Sequence, residues 1–195
     1  MTYRLGLTGS IGMGKSTTAQ MFRDLGHPVW DADEAVHRLY AEQGAAVAPV
    51  SAMFPTALAG GLIDRAALKQ VLAQDPSALA RLEGIVHPLV ARDRQDFIDM
   101  HADAPLVVLD IPLLFESASP PELDGIAVVS TDKQTQRARV RARSGMTDDT
   151  FAMILARQMP DADKRARADW IIPTDTLEGA KNAVEAILGK VIPHA

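Results

Sequence analysis

The 195-residue chain contains no cysteine, which excludes disulfides, thiolate metal sites and cysteine nucleophiles together. It has no excess of positive charge either: 20 Lys and Arg stand against 25 Asp and Glu, a net charge of -5. A protein that grips a nucleic-acid backbone relies on clustered cations, so no nucleic-acid partner is expected. A small anion held in a local basic pocket is still allowed. No apolar run approaches the ~20 residues that span a bilayer, and no membrane association is expected. Met1-Thr2-Tyr3-Arg4 leads straight into a strand-like segment without a secretory pattern, so the expectation is a cytoplasmic enzyme. There is no internal repeat and no low-complexity tract. What is present, 47% apolar and 23% charged residues, is ordinary globular composition in a chain long enough to bury a core.

Tyr3–Thr8 reads as a short buried strand of the parallel type. After a glycine-rich turn, Ala19, Met21, Phe22 and Leu25 predict a helix over Lys15–Leu25 that stops at Gly26. Pro28–Trp30 predicts a second strand, with Asp31 and Asp33 just past its end and a helix over Glu34–Glu42. Residues 44–104 have little strand character. They predict helices over Arg65–Ala73 and Pro76–Met100, the second with an apolar face that includes Leu82, Val86 and Ile98. His87-Pro88 falls inside that second helix, where a proline predicts a kink or a break. Further strands are expected at Leu106–Leu109, ending in Asp110, at Ile126–Val129 and at Trp170–Ile172. Helices are expected over Lys133–Arg143, Asp148–Gln158, Asp161–Arg167 and Leu177–Leu188. Strands alternating with helices indicate a parallel α/β sheet, interrupted by a helical insertion.

Gly9-Ser10-Ile11-Gly12-Met13-Gly14-Lys15-Ser16 fits G-x-x-x-x-G-K-[ST] without a mismatch and lies between a predicted strand and a predicted helix. Glycines let the chain wrap closely and aim backbone N–H groups at phosphate oxygens. The helix that follows adds the positive end of its dipole. Lys15 can reach the β- and γ-phosphates, and the Ser16 hydroxyl can bind Mg2+. Gly12, Met13, Gly14, Lys15, Ser16 and Thr17 are therefore read as the ATP-binding set. Asp110 can hold a Mg2+-bound water or can be a solvated strand end.

A guanine-reading Asn/Thr-Lys-x-Asp segment is absent, and motor ATPases need a longer chain, which leaves small-molecule kinases. These need a group that positions the acceptor hydroxyl near the γ-phosphate. Asp31 and Asp33 follow a strand end, where open parallel sheets bind ligands. On an extended segment they would point the same way. Asp33 is assigned the acceptor hydroxyl and Asp31 a supporting role; the alternative makes Asp33 the cap of the following helix. Arg137, Arg139, Arg141 and Arg143 alternate along a predicted helix, with Arg139 and Arg143 on one row and Arg137 and Arg141 on another. They form either cations over the phosphates or a solvated charged face.

Gly6-Leu7-Thr8 with the loop above, Asp31-Ala32-Asp33, Ile63-Asp64-Arg65, Leu82-Glu83-Gly84-Ile85-Val86-His87-Pro88 and Val108-Leu109-Asp110-Ile111-Pro112-Leu113-Leu114-Phe115-Glu116 together resemble the dephospho-coenzyme A kinases. Gln158 and Lys164-Arg165-Ala166-Arg167-Ala168-Asp169 also fit, so the resemblance runs through nearly the whole chain. It implies an α/β, three-layer P-loop NTPase fold with a parallel sheet. It also implies a helical acceptor-binding insertion at about 34–104 and a mobile lid at about 137–165. It implies that ATP phosphorylates the ribose 3'-hydroxyl of dephospho-CoA, with Asp33, Lys15 and Arg143 catalytic and Arg139 and Arg143 in the lid. Thr8, Asp33, Arg65, His87 and Leu114 would face the acceptor, and Ser16 and Asp110 the Mg2+. For Arg65 the alternative is a cap of the insertion, and for His87 a satisfied histidine beside Pro88. One departure concerns the segment after the last strand. Ile172-Pro173-Thr174-Asp175-Thr176 stands where the family often has Ile-Asp-Asn-x-Gly, and no adenine contact is transferred there. Shikimate- or gluconate-type kinases, or a nucleotide-dependent binding protein without transfer, are the alternatives.

Overall fold

The computed structural model describes residues 2–117 and 120–192. The chain divides into two compact units, Met1–Trp30 with His101–Ala195, and Asp31–Met100.

The first unit is built on a five-stranded sheet. Its strands are β1 (Tyr3–Thr8), β2 (Val29–Asp31), β5 (Leu106–Asp110), β6 (Gly125–Ser130) and β7 (Trp170–Pro173), in the order β2-β5-β1-β6-β7. β1 pairs in parallel with β5 and β6, and β6 in parallel with β7. All five residues of β5 are buried, as expected of a strand covered on both faces. Leu5, Leu7, Leu106, Val108, Ala127, Val129 and Ile172 form one core with Phe22 of α1 (Lys15–Asp24) and Val184 and Ile187 of α9 (Leu177–Val191). The register sets Leu7 of β1 opposite Asp110, which brings the end of β5 beside the start of the glycine-rich loop. Three further helices belong to this unit: α6 (Lys133–Arg141), α7 (Asp148–Ala156) and α8 (Asp161–Ala166).

The second unit holds α2 (Ala32–Tyr40), α3 (Val47–Met53), α4 (Arg65–Gln74) and α5 (Ala78–Met100). A small antiparallel hairpin of β3 (Leu58–Ala59) and β4 (Leu62–Ile63) turns through Gly60 and Gly61. Leu39, Val50, Phe54, Leu68, Leu82 and Val86 are in its own core. Arg38 on α2 and Asp93 on α5 form an ion pair at 2.7 Å.

Three expectations are corrected. The helix after β2 begins at Ala32 instead of Glu34, because Asp31 caps it: the Asp31 carboxylate accepts the N–H groups of Asp33 at 2.8 Å and Glu34 at 3.1 Å. Asp33 is therefore helical, and the extended-segment argument that aligned it with Asp31 fails. Of the kink or break expected at Pro88, the break does not occur: one helix runs from Ala78 to Met100. Pro88 removes one backbone bond, but Gly84 and Pro88 are both exposed, so water reaches the carbonyl left over. Leu82 and Val86 before it and Leu89 and Val90 after it pack on the same core, which keeps both sides of Pro88 in place. Third, α6 ends at Arg141, so Arg143 does not share a helical row with Arg139. Helix α3 and the β3–β4 hairpin were not expected; they are too short to show a period.

Candidate active site

The loop from Gly9 to Gly14 joins β1 to α1. Gly12 has φ 80° and Gly14 φ 90°, left-handed values that a side chain rarely adopts. At Gly12 a Cβ would also lie 2.5 Å from Val140 of α6, so the loop fits against that helix only with glycine there. Helices α2, α4, α6, α7 and α9 start under side-chain caps from Asp31, Asp64, Asp132, Thr147 and Thr176. Helix α1 has Gly14 at its N-cap position, with no side-chain cap and no acidic residue in its first turn. Its N–H groups and positive dipole end are left for an anion. Lys15, its first residue, is ion-paired with Asp110, whose side chain is 1% exposed. Ser16 and Thr17 are exposed beside it.

Side chains from later in the chain fix the outer part of the loop. The Ile11 N–H donates to Gln158 Oε1 at 3.1 Å, and Gln136 Nε2 donates to the Ile11 carbonyl at 2.8 Å. The Thr174 hydroxyl donates to the Met13 carbonyl at 2.7 Å, and Arg139 donates to the Thr174 carbonyl at 2.6 Å and to its hydroxyl oxygen at 3.2 Å. Met13 is 3% exposed and packs in the core, so its side chain anchors the loop. Asp175 accepts the Thr131 hydroxyl at 2.7 Å, and that bond, with the Asp132 N–H, holds its carboxyl below the ordinary range. The departure at Pro173-Thr174-Asp175 thus supplies one loop-holding side chain, Thr174, and a second, Asp175, that holds the Thr131-Asp132 segment before α6, which the sequence alone did not reveal. Gln136 was missed as well; a glutamine on a polar helix carries no signal of its own.

On the acceptor candidates of this unit, Thr8 is fully buried and its hydroxyl donates to the Pro112 carbonyl at 3.3 Å. Leu114 is 2% exposed, whereas Leu113 beside it is 49% exposed. Glu116 ends this segment with its carboxylate accepting the Met159 N–H at 2.7 Å and pairing with fully buried Lys164 at 2.9 Å. Burial pushes the Glu116 carboxyl up, but the bonds from Lys164 and Met159 outweigh it and the carboxyl lies below its ordinary value.

In the Asp31–Met100 unit, Asp33 is exposed in the first turn of α2, and Asp31 has taken the capping role. Arg65 is exposed at the start of α4, where Asp64 is the cap, accepting Ala66 N–H at 2.8 Å and Ala67 N–H at 3.2 Å. His87 is exposed on α5.

The arginines divide by use. Arg137 and Arg141, on one helical row, both bind Asp148 at the start of α7 and hold its carboxyl down at about 2. Arg139 is tied to Thr174, and Arg143 is exposed beyond the end of α6. A cavity of about 550 Å³ lies under the α7–α8 turn, lined by Ser10, Met13, Gln136, Gln158, Met159 and Arg165 among others.

The Ser16 hydroxyl and the Asp110 carboxylate are hard oxygen donors of the kind Mg2+ takes. Among the described residues no group of three or more His, Cys, Asp or Glu forms a cage. Such a sparse set suits an ion that keeps waters and fills its shell with phosphate oxygens. Among the described residues no helix is long and apolar enough to cross a membrane.

The dephospho-CoA kinase family model matches residues 3–178. The chain is 56% identical over 191 residues to the dephospho-CoA kinase of Jannaschia sp. strain CCS1, covering 98% of each. It is 57% identical over 187 residues to that of Rhizobium meliloti, covering 94% of this chain and 95% of the relative. A crystal structure of a Thermus thermophilus protein superposes with a TM-score of 0.85 at 35% identity over 97% of both chains. The fold is also that of the Campylobacter jejuni dephospho-CoA kinase, with a TM-score of 0.69 at 20% identity over 98% of both chains. With the phosphate loop intact and these matches running from end to end, the chain belongs to the dephospho-CoA kinase family.

Proposed function

We propose that the chain transfers the γ-phosphoryl group of Mg2+-ATP to the ribose 3'-hydroxyl of dephospho-CoA, giving coenzyme A and ADP. Family membership across residues 3–178 carries this reading. The uncapped start of α1 supports its donor half.

The N–H groups of the loop and of α1 receive the phosphates, with Gly12, Met13, Gly14, Lys15, Ser16 and Thr17 as the binding segment. Lys15 changes partner from Asp110 to the phosphate oxygens. Ser16 and Asp110 would hold Mg2+, which supplies charge neutralisation on the β- and γ-oxygens. Asp33, exposed and released from capping by Asp31, accepts the hydrogen bond of the acceptor hydroxyl and takes its proton as the oxygen–phosphorus bond forms. The γ-phosphorus bond to ADP breaks in the same transfer, and Arg143 and Arg139 offset the charge there. Arg65 and His87 bind the anionic acceptor, with residues of about 34–104 as its binding section and about 137–165 as a lid that excludes water. Thr8 and Leu114 line the acceptor side within the first unit, where the Thr8 hydroxyl also holds the Pro112 carbonyl at the start of that segment. The proposed setting is the cytoplasm, where ATP is available.

The test is ADP release with dephospho-CoA, shikimate, gluconate and nucleoside monophosphates as acceptors. Turnover with dephospho-CoA well above the others is expected. Turnover with another acceptor and none with dephospho-CoA would reject the assignment.

A further inference from the structure

Gln158 and Met159 are adjacent, and each is bonded to a different half of the first unit. The Gln158 carboxamide accepts the Ile11 N–H of the phosphate loop at 3.1 Å. The Met159 N–H donates at 2.7 Å to Glu116, which ends the segment after β5 that contains Leu114. Lys164, fully buried on α8, pairs with the same Glu116 oxygen at 2.9 Å. Asp161 fixes the start of α8 to the sheet by accepting the Ser130 hydroxyl at 2.8 Å. Residues 158–162 of the turn also line part of the cavity of about 550 Å³.

Stability alone is a poor reason for this arrangement. A buried ion pair is often no better than apolar packing of the same volume. This one leaves Glu116 Oε2 buried without a hydrogen-bond partner among the described residues.

We propose that Glu116 and Gln158 are positioning residues that couple the two sides of the reaction. Through the α7–α8 turn they make the placement of the phosphate loop depend on the placement of the segment 111–117. Neither touches a reacting atom. A shift of about 1 Å in either segment lowers turnover by about 10²-fold in well-aligned transfer reactions, which gives such a link its consequence. The acceptor side of this proposal rests on the transfer reaction proposed above; the donor side does not.

The test crosses the variants with the substrates. Glu116→Gln keeps an oxygen for the Met159 N–H and removes the charge that Lys164 pairs with. It is expected to weaken binding of a non-hydrolysable ATP analogue by about fivefold or more, although Glu116 bonds to no atom of the phosphate loop. Gln158→Met, at a half-buried position, is expected to raise KM for dephospho-CoA by a similar factor, and it carries the test if Glu116→Gln does not fold. The double variant should lose less than the product of the single losses. Effects confined to each residue's own side, multiplying in the double variant, would overturn the coupling. If the unaltered chain does not turn over dephospho-CoA, the acceptor assignment falls. The coupling is then decided by the analogue alone, and unchanged analogue affinity in Glu116→Gln overturns it.

Discussion

Lys15 and Asp110 are bound to each other at the point where β5 and α1 meet, and in the proposed reaction phosphate takes the place of that carboxylate. Lys15→Ala is therefore expected to lower kcat/KM by at least about 10²-fold, the usual effect of removing one preorganised charge donor. Steady-state kinetics with near-normal turnover would contradict its phosphate role. Asp33→Asn is expected to lower kcat by about 10²–10⁴-fold while ATP-analogue affinity stays within about twofold. A loss confined to ATP binding would remove Asp33 from the acceptor. The loop residues were legible in the sequence because four specified types at fixed spacing define a backbone path. The roles of Asp31 and Asp33 were legible only in part. Their spacing shows two carboxylates after a strand, but which one caps depends on the residue where the chain leaves the extended region, and local sequence sets that poorly. Gln136, Thr174 and Glu116 act through partners 125, 161 and 43 positions away in the chain, a distance no local pattern reports.

Helix α2 depends on a single cap. Asp31→Ala is expected to destabilise the protein by about 1 kcal/mol, and Asp31→Asn by much less, because asparagine also caps. Urea denaturation separates the two, and equal stability of all three proteins would deny the cap. The segment from α7 to α8 has a pH signature. The Glu116 carboxyl lies below its ordinary value in the folded chain, so its contribution to stability is present above the unfolded pKa and is lost as pH falls through the folded value. The melting-temperature gap between the unaltered protein and Glu116→Gln is thus expected to be constant from about pH 7 to 6 and to shrink on acidification below the ordinary carboxyl value of 4.5. A gap that widens in acid would reverse the sign. At this scale the sequence located the strands and the long helices, whose apolar periods are clear. It misplaced the end of α6, where Arg139-Val140-Arg141-Ala142-Arg143 contains no glycine or proline to signal a stop, and it missed α3 and the hairpin, which span too few residues.

For the whole molecule, the parallel sheet with its glycine-rich turn followed from alternating strand and helix patterns, and the strand order β2-β5-β1-β6-β7 did not. Order is set by which apolar faces pair across the sheet, and buried strands rich in Val and Leu look alike in sequence. The Asp31–Met100 unit was visible as a stretch poor in strand, with its own core of Leu, Val and Phe. Family membership covers both units, and the acceptor assignment depends on that membership more than on any single side chain. The most direct measurement is 31P NMR of the product formed from dephospho-CoA, ATP and Mg2+. A new phosphomonoester on the ribose 3'-oxygen with one ADP released per phosphate is the predicted result. ADP release without that phosphomonoester, or phosphate on another oxygen, would contradict the account.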